Sequence, residues 1–322
     1  MKGSMQEYTI RRLLMMIPTL LGVLLIIFVI MRVVPGDVAS LIATRGGEGI
    51  ATQEEISDIR EKLGLADPLP VQFVKYLWGL VRLDVGNSLW SGYPVVQDIA
   101  TRFPLTLELA ILSVSISLAI AIPVGVLSAI RQDTMVDYIF RMMSIIGLAA
   151  PNFWLGVMVI LFLSIYFRWI PPLGYTDFFV DPAKNLQQMI WPALVIGWSS
   201  SASALRMTRS SMLEVLREDY IRTAWAKGLR ERSVVFRHAL KNAMLPIITV
   251  VGLHIGGALN GAVIMEVIFT LPGVGRLLID SLNHRDYPMI QTLTVLFAFM
   301  YASVNLVTDL SYAWLNPKIR YH

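Results

Sequence analysis

The sequence predicts an all-α polytopic membrane protein with six transmembrane helices and a large extracytoplasmic segment between the first two. Three observations predict it. Of the 322 residues, 55% are hydrophobic and only 16% are charged, against about 25% charged in soluble domains. A soluble fold of that balance lacks the polar surface to cover its core, whereas a lipid-embedded fold has the opposite need. The apolar residues gather into stretches close to the ~20 that a bilayer core of about 30 Å requires. The basic residues, finally, are unevenly shared among the connecting segments.

The candidate spans are Leu13–Met31, Leu105–Ile130, Met142–Phe167, Met189–Leu205, Leu245–Ile268 and Met289–Leu315. The first carries no charge. The second has Glu108 near its start, the fourth is short and rich in serine, and the sixth contains Asp309. Arg11 and Arg12 give the first span a basic start, as in a signal peptide, but its 19 residues exceed an h-region of about 7–15 and no small-x-small cleavage site follows promptly. It reads as a retained helix.

Charge orients the helices. With residues 1–12 inside, the inside segments hold sixteen Lys and Arg: Lys2, Arg11, Arg12, Arg131, Arg141, nine between Arg206 and Lys241, Lys318 and Arg320. The two short outside loops hold four, Arg168, Lys184, Arg276 and Arg285. That asymmetry places both termini in the cytoplasm, including the short tail 316–322. The absence of cysteine excludes disulfides, thiolate metal sites and Cys nucleophiles.

The first outside segment, 32–104, is too long for a plain loop. Thr52 and Glu55 form a capping box, a polar helix runs on to about Leu63, and Gly64 ends it. A second helix is predicted over Val71–Leu83, with Val74, Leu77, Leu80 and Val81 on one apolar face and Trp78 nearby. It suits either a position along the membrane or packing against the span tops.

The second long polar segment, 206–244, is net basic. Tyr220, Ile221, Ala224 and Trp225 fall at i, i+1, i+4 and i+5 and share one helical face. Gly228 is placed to stop that helix, a second helical stretch covers Glu231–Asn242, and Pro246 falls in the first turn of the fifth span. A helix–Gly–helix element with an apolar stripe outside the bilayer suits docking into a partner's groove. It equally suits a basic surface helix lying on the inner leaflet.

Motifs for chemistry are absent. No Gly-x-x-x-x-Gly-Lys-Ser/Thr occurs, so no ATP site is expected in this chain, and none of the four histidines forms His-Glu-x-x-His. No Gly-x-Ser-x-Gly is present, and Ser199–Ser201 reads as a close-packing stretch. No catalytic residue, metal site, bound cofactor or nucleic-acid partner is expected. Charges within spans are functional candidates by default. Glu108, Glu266 and Asp309 lie near span ends, where reaching the interface is the structural alternative. His254 and Asn260 in the fifth span, with Glu266, are the candidates for an aqueous translocation path. A stand-alone secondary transporter would call for repeat symmetry and broken helices in matching places, and the two halves show neither.

The stretch Asp219-Tyr220-Ile221-Arg222-Thr223-Ala224-Trp225-Ala226-Lys227-Gly228-Leu229, continuing through Arg237-His238-Ala239-Leu240-Lys241-Asn242-Ala243-Met244-Leu245-Pro246, resembles the "EAA" loop of ABC importer permeases in its dipeptide/oligopeptide form. Pro35-Gly36-Asp37, Asp84-Val85-Gly86-Asn87-Ser88, Arg102-Phe103-Pro104-Leu105-Thr106-Leu107-Glu108-Leu109 and Ala150-Pro151-Asn152-Phe153-Trp154 agree in order. So do Leu271-Pro272-Gly273-Val274-Gly275-Arg276-Leu277-Leu278, Arg285-Asp286-Tyr287-Pro288 and Asn316-Pro317-Lys318. Two departures mark the peptide-importer branch: Arg222 stands where the general motif has its glutamate, and the distance from Gly228 to Pro246 is a few residues longer.

The resemblance implies a type I importer permease in the bacterial inner membrane, working by alternating access. It implies a second homologous permease, two cytoplasmic ATPases that hold ATP and magnesium, and an extracytoplasmic substrate-binding protein. It also implies that Asp219, Tyr220, Ile221, Ala224, Trp225, Lys227 and Gly228 couple the chain to the ATPases. Relatives of this branch import dipeptides, longer peptides, glutathione, nickel complexes or oligosaccharides, and no residue here selects among them.

Overall fold

A computed structural model describes residues 5–33, 52–62 and 65–315. The Pro35-Gly36-Asp37 and Asn316-Pro317-Lys318 stretches, Leu63, Gly64 and the side chain of Glu55 lie outside the described residues.

The elements, in chain order, are α1 (Met5–Val33), α2 (Gln53–Lys62), α3 (Leu69–Arg82), α4 (Val95–Ile130), α5 (Met135–Ala149), α6 (Asn152–Phe167), α7 (Pro182–Leu216), α8 (Asp219–Ala226), α9 (Glu231–Ile268), α10 (Val274–His284) and α11 (Tyr287–Leu315). Helix α9 includes a π-helical stretch, Val234–Leu240. Among the described residues no strand forms; one isolated antiparallel bridge joins Asn87 and Pro94. The chain divides into two compact units. One comprises Met1–Leu13, Pro104–Arg276 and Met300–His322, and the other Leu14–Phe103 and Leu277–Phe299.

Among the described residues four stretches are long and apolar enough to cross a bilayer: Thr9–Val33, Val95–Ile130, Glu231–Ile268 and Tyr287–Ser311. Helix α1 leaves Leu14, Ile17, Leu25 and Ile26 uncovered, an apolar coat suited to lipid. The predicted third span, Met142–Phe167, is not one straight helix. Helices α5 and α6 meet at a bend of 103°. Ala150 and Pro151 are both extended there, because a proline disfavours helical geometry in the residue before it.

The predicted fourth span, Met189–Leu205, falls within α7, which has 35 residues and so measures about 50 Å at 1.5 Å per residue. It is long enough to cross but fails the apolarity the other spans meet. Its packing explains this. Met189, Ala193, Val195, Ile196, Ser201, Ala204, Leu205, Thr208, Ser211 and Met212 are all buried, and a helix enclosed by protein needs no apolar coat. Small groups bring its neighbours close. A Cβ on Gly125 of α4 would lie 2.6 Å from Thr208 of α7, and one on Gly197 of α7 would lie 2.9 Å from the Ser113 carbonyl. The core around α7 joins Leu105 and Leu109 of α4 with Ala258, Ala262 and Met265 of α9.

Helix α9 also departs from expectation. The stretch predicted at Glu231–Asn242 and the fifth span are one continuous helix, and Pro246, predicted in a first turn, lies well inside its 38 residues. The π-helical stretch before it carries one extra residue in the turn and buries Val234, Val235 and Ala239. The predicted outside loop 269–288 holds α10. In the second unit, α3 starts two residues earlier than predicted, at Leu69, and ends in an αL residue, Leu83. Its packed side is Gln72 and Phe73, the latter edge-on to Phe28 of α1 at 5.1 Å. Val74, Trp78 and Val81 stay exposed.

Candidate partner-docking site

Helix α8 is eight residues long, too short to hold itself in water. Its stability comes from its seat. Ile221 is fully buried and Ala224 nearly so, packed among Val126 and Ala129 of α4, Met212 of α7, and Val234, Val235, Ala239, Ala243 and Ile247 of α9. At about 100° per residue, Tyr220 and Trp225 flank that buried seam on either side. They remain 42% and 45% exposed, and Asn242 Nδ2 donates to Tyr220 Oη at 2.9 Å. The apolar face predicted to meet a partner therefore seats the helix on its own chain. Ile221 and Ala224 are not available to a partner. The outward crest is Asp219, Arg222, Thr223 and Ala226, all exposed, with Tyr220 and Trp225 at its edges.

Gly228 ends the helix as the spacing predicts. Its φ is +74°. The Gly228 N–H donates to the Trp225 carbonyl at 2.9 Å and the Leu229 N–H to the Ala224 carbonyl at 3.4 Å, the paired bonds of a Schellman cap. Lys227 is exposed and donates its N–H to the Thr223 carbonyl.

Below that seat lies a pair of charges that sequence reasoning missed. Asp137 of α5 is fully buried. Arg209 of α7 donates to it from Nε at 2.7 Å and Nη2 at 2.6 Å. Ser128 Oγ donates at 2.5 Å and the Asp133 N–H at 3.1 Å. Such a bidentate, fully bonded pair fixes α5 against α7. Arg209 was legible only as one of nine basic residues in its segment, and no local signal ties it to Asp137, 72 positions away.

The in-span candidates are placed as follows. Glu266 is fully buried at the end of α9. Thr106 Oγ1 donates to it at 2.5 Å and the Arg276 N–H at 2.9 Å, while Thr106 Oγ1 accepts from the Val274 N–H at 3.0 Å. The carboxylate thus fastens the first turn of α10, where helical N–H groups are otherwise unpaired. Glu108 accepts from Tyr175 Oη at 2.6 Å and Asn185 Nδ2 at 3.1 Å. Burial first, and that carboxylate second, hold the Tyr175 phenol above its usual value, so it stays a donor. Asp309 pairs with Arg12 at 2.8 Å. His254 is half-buried and shares a hydrogen bond with Ser203, whereas Asn260 lies on the exposed face of α9 with Leu253 and Ile264. The structure does not bring His254, Asn260 and Glu266 into one cluster.

The second unit has its own polar centre. Buried Asp286 accepts from Ser88 Oγ and from the N–H groups of Leu89 and Trp90, and it caps α11 through the Met289 N–H. Trp90 stacks on His284 at 3.4 Å. Two motifs read separately in the sequence, Asp84–Ser88 and Arg285–Pro288, thus form one structure.

The family described as "Binding-protein-dependent transport system inner membrane component" matches residues 121–321, and its N-terminal companion matches residues 5–110. The oligopeptide transport system permease protein AppB of Bacillus subtilis (strain 168) is 43% identical, over 98% of this chain and 100% of its own length. The dipeptide transport system permease protein DppB of Escherichia coli (strain K12) is 39% identical, over 98% and 99%. The glutathione transport system permease protein GsiC of Salmonella paratyphi A is 40% identical, over 98% and 100%. Among solved structures, the MetNI methionine ABC transporter in an inward-facing conformation aligns with a TM-score of 0.55 at 15% identity, covering 69% of this chain and 98% of that one, which shows a shared fold. Matched along nearly its whole length, the chain belongs to the binding-protein-dependent transport system inner membrane components.

Proposed function

We propose that the chain is the transmembrane permease subunit of an ATP-driven, binding-protein-dependent importer of di- or oligopeptides, and that it forms half of the translocation path. The observation that carries this reading is the match at about 40% identity to oligopeptide and dipeptide permeases over their full lengths. The match to GsiC favours glutathione, itself a short peptide, as the second candidate cargo.

Helix α8 is the coupling element in this reading. Its crest of Asp219, Arg222, Thr223 and Ala226, flanked by Tyr220 and Trp225, enters a groove of a cytoplasmic ATPase. Tyr and Trp at the edge of a small protruding face are suited to anchoring such a contact. Ile221 and Ala224 carry the motion inward, because they tie α8 to α4, α7 and α9. ATP and magnesium are held by two partner ATPases, whose closure drives alternating access. A second homologous permease completes the path, and an extracytoplasmic binding protein delivers cargo.

The chain sits in the bacterial inner membrane with both termini cytoplasmic. The Asp137–Arg209 and Arg12–Asp309 pairs support that topology, since each joins segments that the charge rule assigns to the same side. The test is gentle affinity purification of the chain from native membranes. A second permease and P-loop ATPases, with ATP hydrolysis stimulated by a peptide-loaded binding protein, are expected. The chain recovered alone, under conditions that preserve such complexes, would sink the importer reading.

A further inference from the structure

In the second unit a cavity of about 210 Å³ is lined by Arg32, Gln72, Lys75, Tyr76, Tyr287 and Gln291, among others. Its polar groups are set in place by the chain. Arg32 Nε and Nη2 donate to Gln72 Oε1 at 3.1 and 2.9 Å, and Nη1 donates to the Phe28 carbonyl at 3.2 Å. Gln72 is itself fixed by donating from Nε2 to the Leu65 and Asp67 carbonyls. The guanidinium also lies 3.5 Å over the Phe28 ring. Of its five N–H groups, these bonds use three and leave one on each terminal nitrogen, the edge that receives a carboxylate fork.

Among the described residues, two of the polar atoms that line the cavity are left without a partner. Gln291 is 5% exposed, yet among the described residues its Nε2 has no partner, and neither has Tyr76 Oη. Among the described residues no carboxylate pairs with Arg32, while Lys75 is already matched by Asp67 at 2.6 Å. Burial holds the Tyr76 phenol protonated, above its usual range. A buried donor left unmet is costly, and here a phenol, an amide and a guanidinium edge line the same space. Among the described residues the Arg32 charge stays uncompensated beside these donors, which calls for one negative charge that only accepts. That describes a carboxylate rather than a dianionic phosphate.

We propose that this cavity binds the free C-terminal carboxylate of a short peptide; the identity of the ligand rests on the peptide reading of the cargo. Tyr76→Phe and Gln291→Leu test it. Tyr76→Phe removes only an oxygen without a partner among the described residues, and Gln291→Leu removes such a nitrogen together with the amide oxygen, so a purely structural role predicts no loss of stability from the first. The permease complex is purified whole, and binding of Ala-Ala, of its C-terminal amide and of acetate is measured by thermophoresis. Uptake of labelled dipeptide by cells is measured alongside.

Ala-Ala should bind at least tenfold more tightly than the amide. Each substitution should weaken Ala-Ala about tenfold, the size of a hydrogen bond to a charged group, with the melting temperature of the Tyr76→Phe complex unchanged or raised. Equal binding of the amide, no binding of Ala-Ala, or binding indifferent to both substitutions would overturn the site, even where peptide uptake is normal. Acetate bound with the same sensitivity, in cells that take up no peptide, would uphold the carboxylate site and overturn the peptide ligand.

Discussion

The seat of α8 and the cavity beside Arg32 solve opposite problems with similar materials. Around α8 everything inward is complete. Ile221 and Ala224 meet apolar neighbours, and the buried carboxylate nearby, Asp137, has four donors. What is left over points outward, as a crest of short and charged side chains between two aromatics. Around Arg32 the incompleteness is inside, where among the described residues Gln291 Nε2 and Tyr76 Oη have no partner. A complete interior with a free crest is suited to a macromolecular groove, and an incomplete interior to a small ligand. The difference also fixes how each region should answer to substitution. Removing a bonded buried polar group should be costly in the first, and removing the unpartnered Tyr76 hydroxyl harmless in the second.

The sharpest way to break the comparison is Arg209→Met. It leaves the Asp137 carboxylate buried with only Ser128 and one backbone N–H, and should cost about 3–5 kcal/mol. Reversible denaturation in detergent, followed by tryptophan fluorescence, would register it. The double variant Asp137→Leu/Arg209→Met should recover most of that loss, because no charge remains to be stranded. A single variant as stable as the double would mean that the pair is not part of what holds α5 to α7, and the first region would no longer count as complete.

Much of this was legible in the sequence, and what was not has a common cause. Helix α1 announced itself by uncharged length, and α8 by its periodicity and by Gly228. The bend between α5 and α6 had a signal in Pro151, which reading the third span as one apolar run passed over. The fourth span looked weak because apolarity marks contact with lipid, and α7 is enclosed by protein. The contact face of α8 was correctly grouped and wrongly aimed, since periodicity shows which residues share a face but not what that face meets. Ser88 with Asp286, Thr106 with Glu266 and Asp137 with Arg209 were invisible as pairs. A single sequence gives each residue its chemistry and its neighbours along the chain, and nothing in it says that positions 198 apart, as in the first pair, will be hydrogen-bonded.

A smaller effect sharpens the outer limit of the α8 region. Gly228→Ala places a Cβ where nothing lies within 4 Å, so crowding contributes nothing. The backbone stays at positive φ, which costs an L-residue about 1–2 kcal/mol. The expected result is that loss in the same denaturation experiment, with helix content preserved by circular dichroism. Partial loss of transport should accompany it as the cap frays. No measurable loss would mean that the Schellman turn relaxes freely and is not what aims α8.

The smallest effect on stability is the most informative about function. Ala226 is exposed on the crest, away from the buried seam, so Ala226→Trp should change stability by no more than about 0.5 kcal/mol, as for other surface substitutions. Its indole would nonetheless stand where the crest enters a groove. In the docking proposed for α8 the ATPases should be lost from the purified complex, and uptake with them, while the second permease stays bound. Ile221→Ala gives the contrasting result, a loss of about 2–5 kcal/mol from the emptied core and a complex that fails by instability rather than by blocked docking. If Ala226→Trp keeps the ATPases and transports normally, the crest is not the docking face. The aromatic edges formed by Tyr220 and Trp225 would then have to make the contact without it.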